Sequence, residues 1–106
     1  MYNKPIQHGE LILKPIKKLP KGTQKTVDSF IGAPSTAGHH HVLQAKGMVV
    51  VEGEDHNFVQ VTTEGIITQT KAADSHPDLR LPVGIYQLNI KTEYDLFEDV
   101  IRGVQD

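Results

Sequence analysis

Cysteine is absent from the 106 residues. That excludes a disulfide framework, thiol nucleophiles and zinc–thiolate sites. Tryptophan is absent too, and aromatic residues supply only 6% of the chain, so a core must be built from Val, Ile and Leu. Apolar residues reach 38%, below the ordinary share, which leaves little surplus surface for a large obligate interface. No apolar run approaches the roughly 20 residues of a membrane span. Met1-Tyr2-Asn3-Lys4-Pro5 leads into no signal-like stretch, so no membrane partner is expected. An intracellular (cytoplasmic) setting fits, as does a virus particle. Neither sign of charge dominates: 11 basic residues against 13 acidic ones leave a formal net charge of −2, and nothing global argues for nucleic acid.

The length fits a single domain, residues 1–106, with one modest core. Charge is unevenly spread, with six lysines against Glu10 in residues 1–26 and five acids against Arg102 in residues 92–106. Two solvated segments are the plain reading. The sharper one is that the two ends meet, within one chain or between subunits of a homo-oligomer. Lys17-Lys18-Leu19-Pro20-Lys21-Gly22 has no aromatic residue alternating with its lysines to stack bases, so it makes a poor nucleic-acid surface.

Periodicity points to strands throughout. His8 to Ile16 reads as a first strand with Leu11 and Leu13 on one face and Ile12 on the other. Thr26 to Ile31 alternates Val27, Ser29 and Ile31 against Asp28 and Phe30. A loop of small residues, Gly32 to Gly38, follows. His41–Ala45 and Met48–Gly53 are separated by Lys46-Gly47, which suggests a tight hairpin. Val49-Val50-Val51 is apolar on both faces and so belongs to a central strand. Further strands are expected over Phe58–Thr63 and, after Glu64-Gly65, over Ile66–Thr70, which completes a β-meander. After a loop over residues 71–82, Pro82-Val83-Gly84 launches what reads as the longest strand, with Tyr86, Leu88 and Ile90 on its buried face. Two readings of the tail stay open. Tyr94, Phe97, Ile101 and Val104 fit helical spacing with Asp95 as a cap; alternatively one short helical turn precedes a strand through Val100, Arg102 and Val104. The need to cover a sheet edge favours the second. The fold class is therefore all-β: a small single-domain β-barrel or sandwich.

Chemistry concentrates at Gly38-His39-His40-His41-Val42-Leu43. Strand parity places His39, His41, Leu43 and Ala45 on one face and His40, Val42 and Gln44 on the other. The first set is the more apolar and faces inward, which puts His39 and His41 together at the mouth of the barrel. An H-x-H pair of this kind can offer two imidazole nitrogens to one cation, and imidazole suits Zn, Fe, Ni and Cu. His76, held extended by Pro77, is the best third ligand. Asp74, His8, Glu52 and His56 are further candidates. Three histidines and an open position would let a divalent metal (Zn, Fe or Ni) activate a bound water. The plain alternative is that these histidines only hydrogen-bond to backbone. Glu52, Glu54 and Asp55 read as a solvated hairpin end. No nucleophile elbow surrounds Ser35 or Ser75, and no phosphate-loop pattern occurs.

Several of these pieces together resemble a group of small, functionally uncharacterised bacterial and phage proteins. They are Gly9-Glu10-Leu11-Ile12-Leu13 with Pro15, Gly38-His39-His40-His41-Val42-Leu43, His76, Leu81-Pro82-Val83-Gly84-Ile85-Tyr86, Glu93-Tyr94-Asp95 and Ile101-Arg102-Gly103-Val104-Gln105-Asp106. The resemblance implies no activity, but it treats His39, His41 and His76 as one site. A looser similarity is to cupins, through His39-x-His41 and Pro82-Val83-Gly84, and it implies a metal-bearing barrel by architecture alone. Two classes of function follow: a barrel that binds a divalent metal or small ligand through a histidine cluster, or a non-catalytic oligomeric assembly module such as a virion-associated structural protein.

Overall fold

The computed structural model describes residues 2–33, 40–69 and 78–90. Residues 34–38 of the small-residue loop, most of the segment before Pro82 and both readings of the tail lie outside the described residues, while Gly32 and Ala33 of that loop end the strand Gln24–Ala33. Among the described residues there are eight strands: β1 (Ile6–His8), β2 (Leu11–Pro15), β3 (Gln24–Ala33), β4 (His41–Glu52), β5 (Asn57–Val61), β6 (Gly65–Gln69), β7 (Leu79–Leu81) and β8 (Gly84–Ile90). Every pairing among them is antiparallel. The strands belong to one sheet that runs β1-β2-β8-β5-β4-β6-β7 with β3 alongside β4. It curls into a nearly closed barrel, as an all-β chain with this spacing of turns is expected to do. Among the described residues there is no helix, and so none long and apolar enough to cross a membrane.

The first strand divides where the sequence suggested continuity. Gly9, at φ 62°, and Glu10 make a two-residue turn that brings His8 opposite Leu11. Glycine at the first turn position with a positive φ is what a type II′ hairpin requires. The opposite correction applies at Lys46-Gly47. The expected hairpin there is absent, and β4 continues through it unbroken, the longest of the described strands. Gly47 does have φ 67°, but among the described residues no non-glycine has a positive φ. A reversal matched to strand twist needs both central residues positive, or glycine first, and Lys46-Gly47 meets neither condition. The pair forms a bulge instead.

That bulge resets the faces of two strands. Val27 pairs with Met48 and Ser29 with Gln44, so Ala45-Lys46-Gly47 stands opposite Asp28 alone. On β4 the residues packed in the core cluster change from Leu43 and Ala45 to Met48 and Val50, while Val42 and Val51 are buried on the opposite face. On β3, Val27 and Phe30 both pack against the core although they are three residues apart. Ile31, expected to share a face with Val27, is consequently 47% exposed. Bulges shift parity in this way because one strand gains residues that its partner does not match.

The same irregularity continues across the sheet as a crease. One edge of β4 pairs with β3, while the other pairs with β6 over His41–Gln44 and with β5 over Val49–Glu52. β5 and β6 are thus collinear, joined at Thr62-Thr63-Glu64, and do not form the hairpin expected at Glu64-Gly65. β7 and β8 repeat the arrangement on the next strand position, joined at Pro82-Val83. The meander survives as β3-β4-β5, with β4 central as its valines required.

Backbone groups released at the crease find specific partners. Gly47 N–H donates to Asp28 Oδ1 at 2.9 Å. The buried Tyr86 hydroxyl donates to Pro82 O at 2.8 Å, and Tyr2 N–H donates to Val83 O at 3.1 Å. Without the Tyr86 contact the break would leave a buried polar group unsatisfied, which is costly in a core, whereas the Asp28 contact lies at the exposed surface. The Tyr86 ring fits because Gly84 lacks a side chain: a Cβ there would sit 2.9 Å from the hydroxyl. Leu11, Leu13, Leu43, Met48, Val50, Val59, Ile67 and Leu81 fill the interior around this ring.

Two predictions follow from the crease. A Cβ on Gly65 would lie 2.0 Å from Gln44 O, whereas one on Gly47 meets nothing within 4 Å. Gly65→Ala therefore costs about 3 kcal/mol or more, because backbone must move, and Gly47→Ala costs only about 1–2 kcal/mol for its left-handed conformation; urea denaturation of both variants measures the contrast. Burial, with a smaller contribution from Tyr2 and an opposing one from Arg80, pushes the Tyr86 phenol from 10.0 up to about 12. A raised folded-state value contributes stability that is full below pH 10 and is lost as pH rises toward 12. The denaturation midpoint should fall across that window, and the fall should be smaller in Tyr86→Phe.

Candidate functional site

β4 positions the site. His41 opens the strand and points inward with Leu43 and Ala45, as parity requires, and is only 2% exposed. His40 is half-buried and precedes the strand. On β1, Ile6 and His8 are buried while Gln7 between them is half-buried, so the type II′ turn at Gly9-Glu10 leaves His8 at the inner end of its strand, 2% exposed.

The two buried histidines meet. Nδ1 of His8 lies 2.8 Å from Nδ1 of His41, with ring centroids 4.9 Å apart and planes at 88°. At that separation one Nδ1 carries a proton and donates it to the lone pair of the other. Gln69 is the cross-strand partner of His41 and brings its amide nitrogen to 3.5 Å from His41 Nε2. The His8–His41 contact spans the line where the barrel closes. Among the described residues β1 pairs only with β2, and β4 pairs with β3, β5 and β6. Nearby closure is seen at Gly32 of β3, where a Cβ would come within 3.1 Å of Leu11 on β2.

Of the residues singled out from sequence, His41 lies in this pair, while His39, His76 and Asp74 fall outside the described residues. His8, one of the lesser candidates, is the side chain that the fold delivers to His41. Its sequence signal was Ile6-x-His8 parity followed at once by a turn glycine. Glu52 goes elsewhere: it is exposed and forms an ion pair with Lys25 on β3. His56, Glu54 and Asp55 are exposed and line a separate cleft of about 330 Å3 with Gly32, Gly53, Asn57, Leu88 and Ile90. Gly53 N–H closes that turn on His56 O at 3.0 Å, as a solvated hairpin end should. Among the described residues no three His, Asp or Glu side chains gather closely enough to hold a metal.

Fold and site together define a small all-β, barrel-like protein with a buried histidine pair across its seam. The chain belongs to the family described as domain of unknown function (DUF8820), which matches residues 7–91. The matched span takes in His8, His39, His41 and His76 and stops before the acidic tail. No curated protein and no solved structure matches the chain.

If His8 and His41 act as a unit, their substitutions are not additive. A double-mutant cycle with His8→Leu and His41→Leu should give a coupling of about 1–3 kcal/mol. Additive losses in chemical denaturation would show that the 2.8 Å contact carries no energy of its own.

Proposed function

We propose that the protein binds a divalent transition metal or a small ligand through a histidine cluster in which His41 is the central ligand. The buried convergence of His8 and His41 carries this reading: two imidazoles, each 2% exposed, turn their Nδ1 atoms toward one point. His39, on the same strand parity as His41, and His76, from the segment leading to β7, are the proposed further ligands. Zinc, iron or nickel fits an imidazole set. The resemblance to small uncharacterised proteins treats His39, His41 and His76 as one site, and the looser likeness to cupins is one of architecture that licenses no function.

A second reading is an oligomeric assembly module, such as a structural part of a virus particle. The observation in its favour is β3, whose outer edge pairs with no strand among the described residues and which presents the exposed Ile31. Such edges invite a second chain.

Metal analysis of untagged protein, repeated on a His39→Ala, His41→Ala double variant, separates the readings. Binding of a first-row metal by the parent and its loss in the variant supports the histidine site. A parent without metal above background removes it. Light scattering at low salt tests assembly, and a strictly monomeric mass at high concentration sinks that reading.

A further inference from the structure

We propose that His8 is itself a metal ligand, and that the ion held between His8 and His41 acts as a clasp on the barrel seam. This rests on the histidine-cluster reading above and extends it to a residue on another strand and to a structural consequence. The geometry points to it in three ways. First, the atoms that approach one another are the two Nδ1 nitrogens, at 2.8 Å, so both rings already aim one ligating atom at one place. Imidazole–metal bonds are about 2.0–2.1 Å, and a modest parting of the rings admits an ion between them. Second, the two proposed ligands are both imidazole nitrogens, a donor pair that favours an imidazole-preferring transition ion over the oxygen-preferring magnesium or calcium. Third, Gln69 faces His41 Nε2. With Nδ1 on a metal, Nε2 carries the proton, and the Gln69 amide can turn its oxygen to receive it, the usual support for a ligating histidine.

The location gives the ion its effect. β1 and β4 share no ladder among the described residues, so side chains hold the seam there. A bond from each histidine to one ion replaces a single hydrogen bond and ties the β1–β2 hairpin to the central strand. Binding then stabilises the closed barrel, since the unfolded chain does not hold the two rings together.

The experiment is a zinc(II) titration of the untagged full chain, followed by calorimetry, thermal unfolding and imidazole 15N NMR. Coordination at Nδ1 of both His8 and His41 is expected in the NMR spectra, a readout that needs no variant to fold. At zinc a hundredfold above Kd, the thermal midpoint should rise by about 10 °C. Amide exchange in Ile6–His8 and Leu11–Leu13 should slow. His8→Ala should lose more than the roughly 10–100-fold in affinity that removing a supporting outer partner costs, while His56→Ala, in the separate cleft, should bind as the parent does. Zinc bound with the His8 ring unshifted, or with unchanged affinity in His8→Ala, overturns the clasp and leaves the His39–His41–His76 site standing. No zinc binding by the parent overturns both. An equal response to magnesium overturns the nitrogen-only assignment.

Discussion

The structure depends on how one sheet tolerates a crease without leaving its backbone unsatisfied. A sheet this small can enclose a core only by bending back on itself, and bending breaks the hydrogen-bond ladder. Here the breaks are aligned: Asp28 opposite Ala45-Lys46-Gly47, then Thr62-Thr63-Glu64, then Pro82-Val83. Asp28, Tyr86 and Tyr2 take up the groups released. Gly65 lets β6 approach β4 so closely that no side chain would fit between them. The core forms on the inside of this bend because the bulge moves the core-packed residues of β4 from Leu43 and Ala45 to Met48 and Val50 as the strand turns the corner.

The crease also explains the histidine pair. Because β4 bends, its first residues and the β1–β2 hairpin reach the same side of the barrel, although β1 lies far from β4 in strand order. The seam where they meet has side-chain contacts in place of a ladder. Two imidazoles there can satisfy one another, so the pair is tolerated in a core otherwise built from aliphatic residues and one tyrosine. The pair lies in a family whose description assigns no function.

Much of this was legible in the residues, and the failures have physical reasons. Alternation placed Leu11 and Leu13, His41 and Leu43, and Tyr86 and Leu88 on buried faces, because each stretch lies within one regular strand. Ile31 was misplaced because its strand crosses the crease, and a bulge in the neighbour decides which way it points. Lys46-Gly47 read as a reversal because glycine marks both turns and bulges; the sign of φ at the residue before it separates the two, and that sign is set by pairing with β3. The site was half legible. Parity identified His41, but His8 joins it through closure of the barrel, a contact between positions 33 residues apart that no local pattern encodes.

The sequence by itself determined an all-β chain, the central place of Val49-Val50-Val51 and the inward face of His41, because these follow from composition and from the two-residue period of a strand. Tertiary structure alone decided that the glycine at 9 turns the chain while the glycine at 47 only bends it, that β5 and β6 run in line along β4, and that His8 is the histidine brought to His41. Each of those outcomes turns on which strands meet around a closed barrel, and that is settled by long-range pairing and packing, beyond the reach of neighbouring residues.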